Sequence, residues 1–179
     1  NQSLPKGLFT KELEVALVKQ KADLAVHSLK DLPTELPSGL TLGAVTKRED
    51  PREIIAYRDQ NYLKNINLLK KIENEGPNNH SFKGFPSGLA IKDFPDKLTV
   101  ATSSPRRKAQ LLRLKPQWNI VEIRGNVPTR LEKLAINCQI DAIILAHAGL
   151  RRLNFEINKN NELQGDAVPD GINATIIET

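Results

Sequence analysis

The chain has 179 residues, 39% hydrophobic and 26% charged, with a formal net charge of +5 and no apolar run near the length of a membrane span. A single cysteine excludes a disulfide framework within the chain and a multi-cysteine metal site, and fits a reducing compartment; the three histidines lack metal-ligand spacing. The basic balance raises nucleic-acid binding as a function class, but 4% aromatic residues and the lack of a nucleic-acid motif argue against it, and no signal peptide is readable.

From the amino terminus, Thr10 can cap a helix running to about residue 20, with Leu13, Ala16 and Leu17 inward. Asp23-Leu24-Ala25-Val26-His27 reads as a short buried strand, with His27 a core histidine, and further strands are expected near 41–46 and 53–57. The first of these delivers Ser28-Leu29-Lys30-Asp31-Leu32-Pro33, where Pro33 stops any helix and leaves Lys30 and Asp31 on a tight loop. A lone carboxylate among so many cations is suited to stabilising a cationic intermediate or passing protons; a loop ion pair is the simpler alternative. From Arg58 to about Pro95 the pattern fails. Leu68-Leu69-Lys70-Lys71 can be helical, but Gly76-Pro77-Asn78-Asn79 and the Asn-rich stretches read as an exposed insertion with no catalytic role.

From Leu98 to Leu153 the pattern alternates strand, helix, strand, helix, strand, helix, which argues a parallel sheet. The strand Leu98-Thr99-Val100 leads to Ser104, a good N-cap, and Pro105, a good first helical residue. Arg106 and Arg107 then fall in the first helical turn, where the helix dipole disfavours each cation by roughly 0.3–1 kcal/mol. Cations placed there make sense if an anion arrives. A second strand, Asn119–Ile123, delivers Arg124-Gly125-Asn126, with Arg130 just beyond. Open α/β sheets bind ligands outside the carboxyl ends of their strands, so both groups are expected to face one cationic crevice; solvated arginines on exposed turns are the alternative. Leu131, Leu134, Ala135 and Cys138 recur at the spacing of one buried helix face, which makes Cys138 a core residue.

Lys6-Gly7-Leu8-Phe9-Thr10-Lys11-Glu12-Leu13-Glu14, Ala25-Val26-His27-Ser28-Leu29-Lys30-Asp31-Leu32-Pro33, Arg48-Glu49-Asp50-Pro51-Arg52, Thr102-Ser103-Ser104-Pro105-Arg106-Arg107 and Ile123-Arg124-Gly125-Asn126-Val127 occur in that order. Asp141-Ala142-Ile143-Ile144-Leu145-Ala146 and Ala148-Gly149-Leu150-Arg151-Arg152-Leu153 extend the set. In these motifs the chain resembles the porphobilinogen deaminases, also called hydroxymethylbilane synthases, over most of residues 6–57 and 98–153. The resemblance implies a transferase of tetrapyrrole (haem or chlorophyll) biosynthesis. Such an enzyme joins four porphobilinogen units with release of ammonia, growing the product on a dipyrromethane cofactor held by a cysteine thioether. It implies that Asp31 is catalytic, stabilising the positive charge that develops on pyrrole nitrogens as ammonia leaves. It further implies that Ser28, Lys30, Thr102, Ser103, Ser104, Arg106, Arg107, Arg124, Gly125 and Arg130 contact the cofactor and that Lys6, Phe9 and Arg152 border the substrate. Each pyrrole carries an acetate and a propionate, and bidentate guanidinium–carboxylate geometry explains arginine over lysine.

The implied fold is α/β, a two-domain periplasmic-binding-protein-like (type II) architecture with mixed, mainly parallel sheets, expected to be incomplete at both ends. Domain 1 is placed at 1–97, with 58–97 largely insertion, domain 2 at 98–166, and a segment returning to domain 1 at 167–179, with the active crevice between the domains. The sequence departs from the family at Leu4-Pro5 and Ala101, where glycines are usual, and at Pro169-Asp170, where Gly-Gln is expected. The amino terminus is read as truncated. In the family the cofactor cysteine belongs to a third domain, so Cys138 is not expected to be it, and the 179-residue chain alone is expected to be inactive. The implied partners are porphobilinogen and the growing polypyrrole, with no nucleic acid, membrane or metal. The full-length protein is expected to be a monomer, cytoplasmic or in an organelle stroma if a transit peptide has been lost. The rival reading is a non-catalytic anion-binding module of the same fold, against which Asp31 counts, since a carboxylate weakens binding of a simple anion.

Overall fold

The computed structural model of the chain describes residues 8–65 and 82–178. It divides into two compact units, residues 1–47 and 48–179. The expected helix-like run at Leu68–Lys71 lies outside the described residues.

In the first unit, helix α1 (Leu8–Val18) begins two residues before Thr10, so Thr10 is a buried residue of its first turn rather than its cap. The helix closes in a Schellman arrangement: Lys21 N–H donates to Ala16 O at 2.8 Å and Gln20 N–H to Leu17 O at 2.9 Å, with Gln20 in the left-handed region at φ 53. Ala16 and Leu17 are half-buried, whereas Leu13 is 42% exposed. The strands expected at 23–27 and 41–46 do not form; both stretches are irregular. A strand is stabilised by its ladder and its cross-strand neighbours, and no strand of this unit is present among the described residues to supply them. Leu24 and Val26 are accordingly 73% and 87% exposed rather than core. After them the chain makes a single 3-10 turn, Leu29–Asp31, in which Asp31 N–H donates to Ser28 O at 2.9 Å, and Pro33 ends it as the sequence requires.

The second unit is a sheet with helices on both faces. In chain order it comprises β1 (Glu53–Arg58), α2 (Gln60–Asn65), β2 (Thr99–Ala101), α3 (Pro105–Leu114), β3 (Asn119–Val121), α4 (Val127–Ile136), β4 (Ala142–Ala146), α5 (His147–Arg151) and β7 (Ile172–Ile177), the last preceded by the small hairpin β5 (Glu156–Ile157) and β6 (Leu163–Gln164). The five-stranded order is β3-β2-β4-β1-β7. β2 pairs parallel with β3 and β4, and β1 pairs antiparallel with β4 and β7, so four strands point one way and β1 alone runs against them. The alternation from Leu98 to Leu153 thus forms as expected, in a mixed α/β sheet that is mainly parallel.

Side chains alternate across this sheet into two cores. Ile54, Ala56, Ile143 and Leu145 pack with Leu131, Leu134 and Ile123 on the α4 face. Ile55, Tyr57, Val100 and Ile144 pack with Leu111, Trp118, Phe85 and Phe94 on the other. Edge-to-face aromatic contacts organise the second core, with ring centroids 5.1 Å apart for Tyr57–Phe94 and 5.4 Å for Phe85–Phe94. With both faces covered, β1 reads as a continuous apolar run.

This places the division of the chain elsewhere than the sequence reading did. Residues 54–57 have no solvent exposure, paired on both sides, so 53–58 is a central strand of the second unit and not the end of a first domain reaching residue 97. β7 pairs with β1 and belongs to that unit as well. Within the expected insertion, Leu63, Phe85 and Phe94 are core residues.

Arg58 ends β1 and is only 2% exposed. Its guanidinium donates to the carbonyls of Lys83 (3.1 Å), Ile140 (2.6 Å) and Leu134, more distantly to Asn137 (3.4 Å), and lies over the Phe82 ring. The Leu134 and Asn137 carbonyls belong to the end of α4, where a cation complements the helix dipole. Burial pushes the Arg58 pKa down to about 10, against the opposing pull of Asp141. α4 stops at Ile136, so Cys138 lies beyond the helix, half-buried, and not on the helix face that its spacing suggested.

Candidate functional site

Because β2, β3 and β4 are parallel, their carboxyl ends share one edge of the sheet. The chain leaves β2 through Thr102, which is buried and whose N–H donates to Val121 O at 2.9 Å. Ser103 Oγ donates to Ile123 O at 2.5 Å and accepts from Ile123 N–H at 3.1 Å, stapling the β2 exit to the β3 exit. Ser104 caps α3 as expected, its Oγ accepting from Arg107 N–H at 3.4 Å with Pro105 following. Thr102 Oγ1 accepts from Ser104 N–H at 3.3 Å. Thr102 and Ser104 therefore accept backbone protons and have no acceptor for their own O–H among the described residues, while the Ser103 O–H is committed internally. Ala101, where a glycine was usual, is an ordinary residue of β2.

At the β3 exit, Gly125 has φ +118, and a Cβ there would meet Thr129 Cγ2 at 2.8 Å, so the turn requires glycine. Asn126 caps α4: its Oδ1 accepts from Thr129 N–H at 3.0 Å and from Thr129 Oγ1 at 2.7 Å. Arg130 Nε donates to Gly125 O at 2.8 Å and Lys133 Nζ to Arg124 O at 2.9 Å, which shapes the turn from below. Arg124 is exposed, with Glu122 3.8 Å away and exposed as well.

At the β4 exit, His147 begins the short helix α5 and Arg152 follows it, exposed. Here the reversed β1 enters the picture, because its first residue, Glu53, sits in register with Ala146. The edge that collects cations from three strands thus also receives Glu49, Asp50 and Glu53. Glu49 Oε2 lies 3.4 Å from Arg151, Glu53 Oε2 2.7 Å from Arg107, and Asp50 Oδ2 3.0 Å from His147 Nδ1. The Arg52 guanidinium, then the Arg52 N–H, hold the Asp50 carboxyl well below the usual carboxylate range, with His147 adding to them. The same contact raises the pKa of Arg52. Glu49 and Asp50 belong to a motif quoted above for its order alone, and Glu53 follows directly after it. The signal that would have marked them is the direction of β1, which alternation does not encode.

The structure therefore brings Thr102, Ser103, Ser104, Arg106, Arg107, Arg124, Gly125, Arg130 and Arg152 to one sheet edge. Ser28 and Asp31 lie in the 3-10 turn of the first unit, both exposed, with the Lys30 backbone between them. Phe9 lies in α1, and Lys6 lies outside the described residues. Among the described residues, Arg106 and Arg152 have no ion pair and Arg130 makes one side-chain bond, to Gly125 O. Even with Glu49, Asp50 and Glu53 present, Arg106, Arg130 and Arg152 have no carboxylate partner among the described residues, which suits a ligand bearing several carboxylates. Among the described residues no cluster could hold a metal ion, and no helix is long and apolar enough to cross a membrane.

A family model described as porphobilinogen deaminase, dipyromethane cofactor binding domain, matches residues 2–176. Curated relatives include a porphobilinogen deaminase of Moorella thermoacetica, 42% identical across 92% of this chain and 42% of the relative. Another, from a Nitratiruptor species, is 47% identical across 84% and 39%. A porphobilinogen deaminase of Prochlorococcus marinus is 45% identical across 93% of this chain and 46% of the relative. The chain spans less than half the length of these relatives.

Proposed function

The chain belongs to the porphobilinogen deaminase family, and on that premise we propose that it is the part of such an enzyme that holds a dipyrromethane cofactor and helps to join four porphobilinogen units into hydroxymethylbilane with release of ammonia. The observation that carries the reading is the set of guanidiniums at the sheet edge that have no carboxylate partner among the described residues: Arg106, Arg130 and Arg152, with Arg124 in only a loose, exposed pair. Acetate and propionate side chains on successive pyrroles are the ligand groups that such an edge would order.

Bound dipyrromethane would supply a nucleophilic pyrrole terminus as the primer for coupling. In this reading Arg106, Arg124 and Arg130 hold it, together with the hydroxyls of Thr102 and Ser104, and Arg152 takes a substrate carboxylate. The residues of the 3-10 turn Leu29–Asp31 act differently. Loss of ammonia from porphobilinogen leaves positive charge delocalised onto the pyrrole nitrogen, and the Asp31 carboxylate stabilises it while accepting a hydrogen bond from the pyrrole N–H. The family resemblance assigns Ser28 and Lys30 to the cofactor and Lys6 and Phe9 to the substrate. The thioether anchor is a cysteine other than Cys138, which lies half-buried between the carboxyl end of α4 and the amino end of β4. The enzyme would work in tetrapyrrole biosynthesis in a reducing compartment, as a monomer.

The test is incubation of the full-length protein with porphobilinogen, followed by acid, oxidation and the absorbance of uroporphyrin. Turnover is expected for the wild type. Asp31→Asn should give none while its intact mass still includes the cofactor. A folded wild type that binds porphobilinogen without forming bilane would make the chain an anion-binding module instead, and wild-type rates in Asp31→Asn would remove Asp31 from the mechanism.

A further inference from the structure

The helix α5 is five residues long, and at that length a helix does not hold itself together in water. Its N-cap, Ala146, makes no side-chain bond to it. What fixes it comes from outside. Leu150, with no solvent exposure, anchors one side in the core. The start is held twice by His147, whose N–H donates to Arg52 O at 3.0 Å and whose Nδ1 lies 3.0 Å from Asp50 Oδ2. Asp50 is itself fixed: Arg52 Nε lies 3.0 Å from both of its oxygens, Arg52 Nη2 lies 2.6 Å from Oδ2, and the Arg52 N–H donates to Oδ1 at 2.9 Å. These contacts keep the carboxyl ionised, and an ionised carboxyl only accepts. The His147 ring therefore donates through Nδ1–H, so the bond has one sense. Both side chains are 16% exposed, which shields the bond from much of the solvent screening. At the other end of α5, Arg151 meets Glu49 at 3.4 Å in a more exposed pair, and Arg152 follows, its N–H donating to Ala148 O at 3.2 Å.

We propose that His147 is a positioning residue: through Asp50 it sets the start of α5 and so aims Arg152 at a substrate carboxylate. The role given to Arg152 rests on the proposed function, whereas the anchoring of α5 does not. Arg152 lies about one and a half helical turns beyond His147, so a tilt at the start of α5 is carried directly to its guanidinium. Asp50 and Arg52 supply a fixed point for that start on the segment that enters β1, and Glu49 engages the neighbouring Arg151. Arg152 is left exposed and without an ion pair among the described residues. An acetate or propionate on the pyrrole ring is not at the reacting carbon, so Arg152 holds it equally before and during coupling. Misaiming Arg152 therefore weakens substrate binding and leaves the chemical step alone.

The test uses the full-length protein, its cofactor confirmed by intact mass in every variant. Asparagine places an amide N–H near the position of the histidine Nδ1, whereas glutamine, one methylene longer, places it near Nε2 and away from Asp50. His147→Gln should raise the KM for porphobilinogen by about three- to tenfold with kcat within about twofold of wild type. His147→Asn should stay within about twofold of wild type in both. Arg152→Gln should raise KM by about tenfold, the effect of one charge-assisted contact. Adding His147→Gln to Arg152→Gln should change KM by less than about twofold, because the side chain that it aims is gone. A His147 that only stabilised the fold would not show this dependence on Arg152. An unchanged KM in His147→Gln, His147→Asn as impaired as His147→Gln, or multiplicative effects in the double variant would overturn the assignment. Deuterium exchange of the α5 amides gives a readout without turnover, expected to be faster in His147→Gln and restored in His147→Asn. If the wild type does not turn over porphobilinogen, the substrate reading of Arg152 falls; the exchange difference would still support the Asp50 anchor, and equal exchange in the two variants would overturn it. If His147→Gln does not fold, Asp50→Ala takes its place, with the same expected rise in KM and the same dependence on Arg152.

Discussion

Replacing Arg58 by methionine tests whether a buried cation at the end of β1 holds the second unit together. Three carbonyls accept from its guanidinium within 3.1 Å, those of Lys83, Leu134 and Ile140. Charge-assisted bonds contribute roughly 1.5–3 kcal/mol each, so the gross stabilisation is about 5–9 kcal/mol. Burial opposes it: lowering the Arg58 pKa from 12.5 to about 10 corresponds to about 3 kcal/mol against the charged form. The net is on the order of 3 kcal/mol, in line with the loss seen when a buried charge network is broken. Methionine fills most of the volume but leaves the α4 carbonyls unpaired, so Arg58→Met should lower the melting temperature by roughly 10 °C. Circular dichroism melting and urea titration of the purified protein would measure it. Arg58→Lys, with a point charge that cannot span three carbonyls, should lie between the two. A methionine variant that melts within about 2 °C of wild type would mean that the hydrogen bonds of Arg58 only balance its desolvation.

Other consequences are equally direct. Gly125→Ala should destabilise the start of α4 by about 1–3 kcal/mol, from the positive φ and the approach to Thr129; Thr129→Ser, which removes the Cγ2 methyl, should restore part of the loss in a melting experiment. Ser103→Ala should cost about 1–2 kcal/mol by unpairing both Ile123 backbone groups, and urea titration of the variant would detect it. The Asp50 carboxyl titrates below its ordinary 3.8 in the folded chain, so its contribution to stability is present above that pH and is lost as pH falls through the lower folded value. Asp50→Asn should therefore be less stable than wild type at neutral pH, with the gap narrowing in acid, and a constant gap from pH 7 to pH 2 by thermal melting would contradict the Arg52 and His147 contacts.

The second unit was legible where sequence signals are local. Ser104 followed by Pro105 states where a helix starts, and the α3 cap forms as written. The alternation from Leu98 to Leu153 repeats one strand–helix grammar, and parallel pairing follows from it. Long-range information was not legible. Nothing within Glu53–Arg58 says that it runs against its neighbours or that it lies mid-sheet, and so the carboxylates that it brings to the cationic edge went unassigned. In the same way, Leu24–Val26 has the composition of a buried strand, but burial depends on neighbours that composition does not name. The spacing of Cys138 matches a helix face, yet the backbone turns extended at Asn137 (φ −101, ψ 106) and leaves the helix before the cysteine is reached.

The central position of β1 also sets an order of events during synthesis. Both of its partners come later in the chain: Tyr57 pairs with Ala142 and Arg58 with Ile172. A ribosome adding about 5–20 residues per second takes on the order of ten seconds to cover the distance from Arg58 to Ile172. Throughout that interval Ile54, Ile55, Ala56 and Tyr57, which end with no solvent exposure, are an apolar segment with both backbone edges open. The three parallel strands can assemble around α3 and α4 as they emerge, because their contacts are nearer in sequence, but the sheet closes only when β7 arrives. The strand that gives the finished fold its reversed direction and its carboxylates is therefore the segment that holding chaperones would protect for longest.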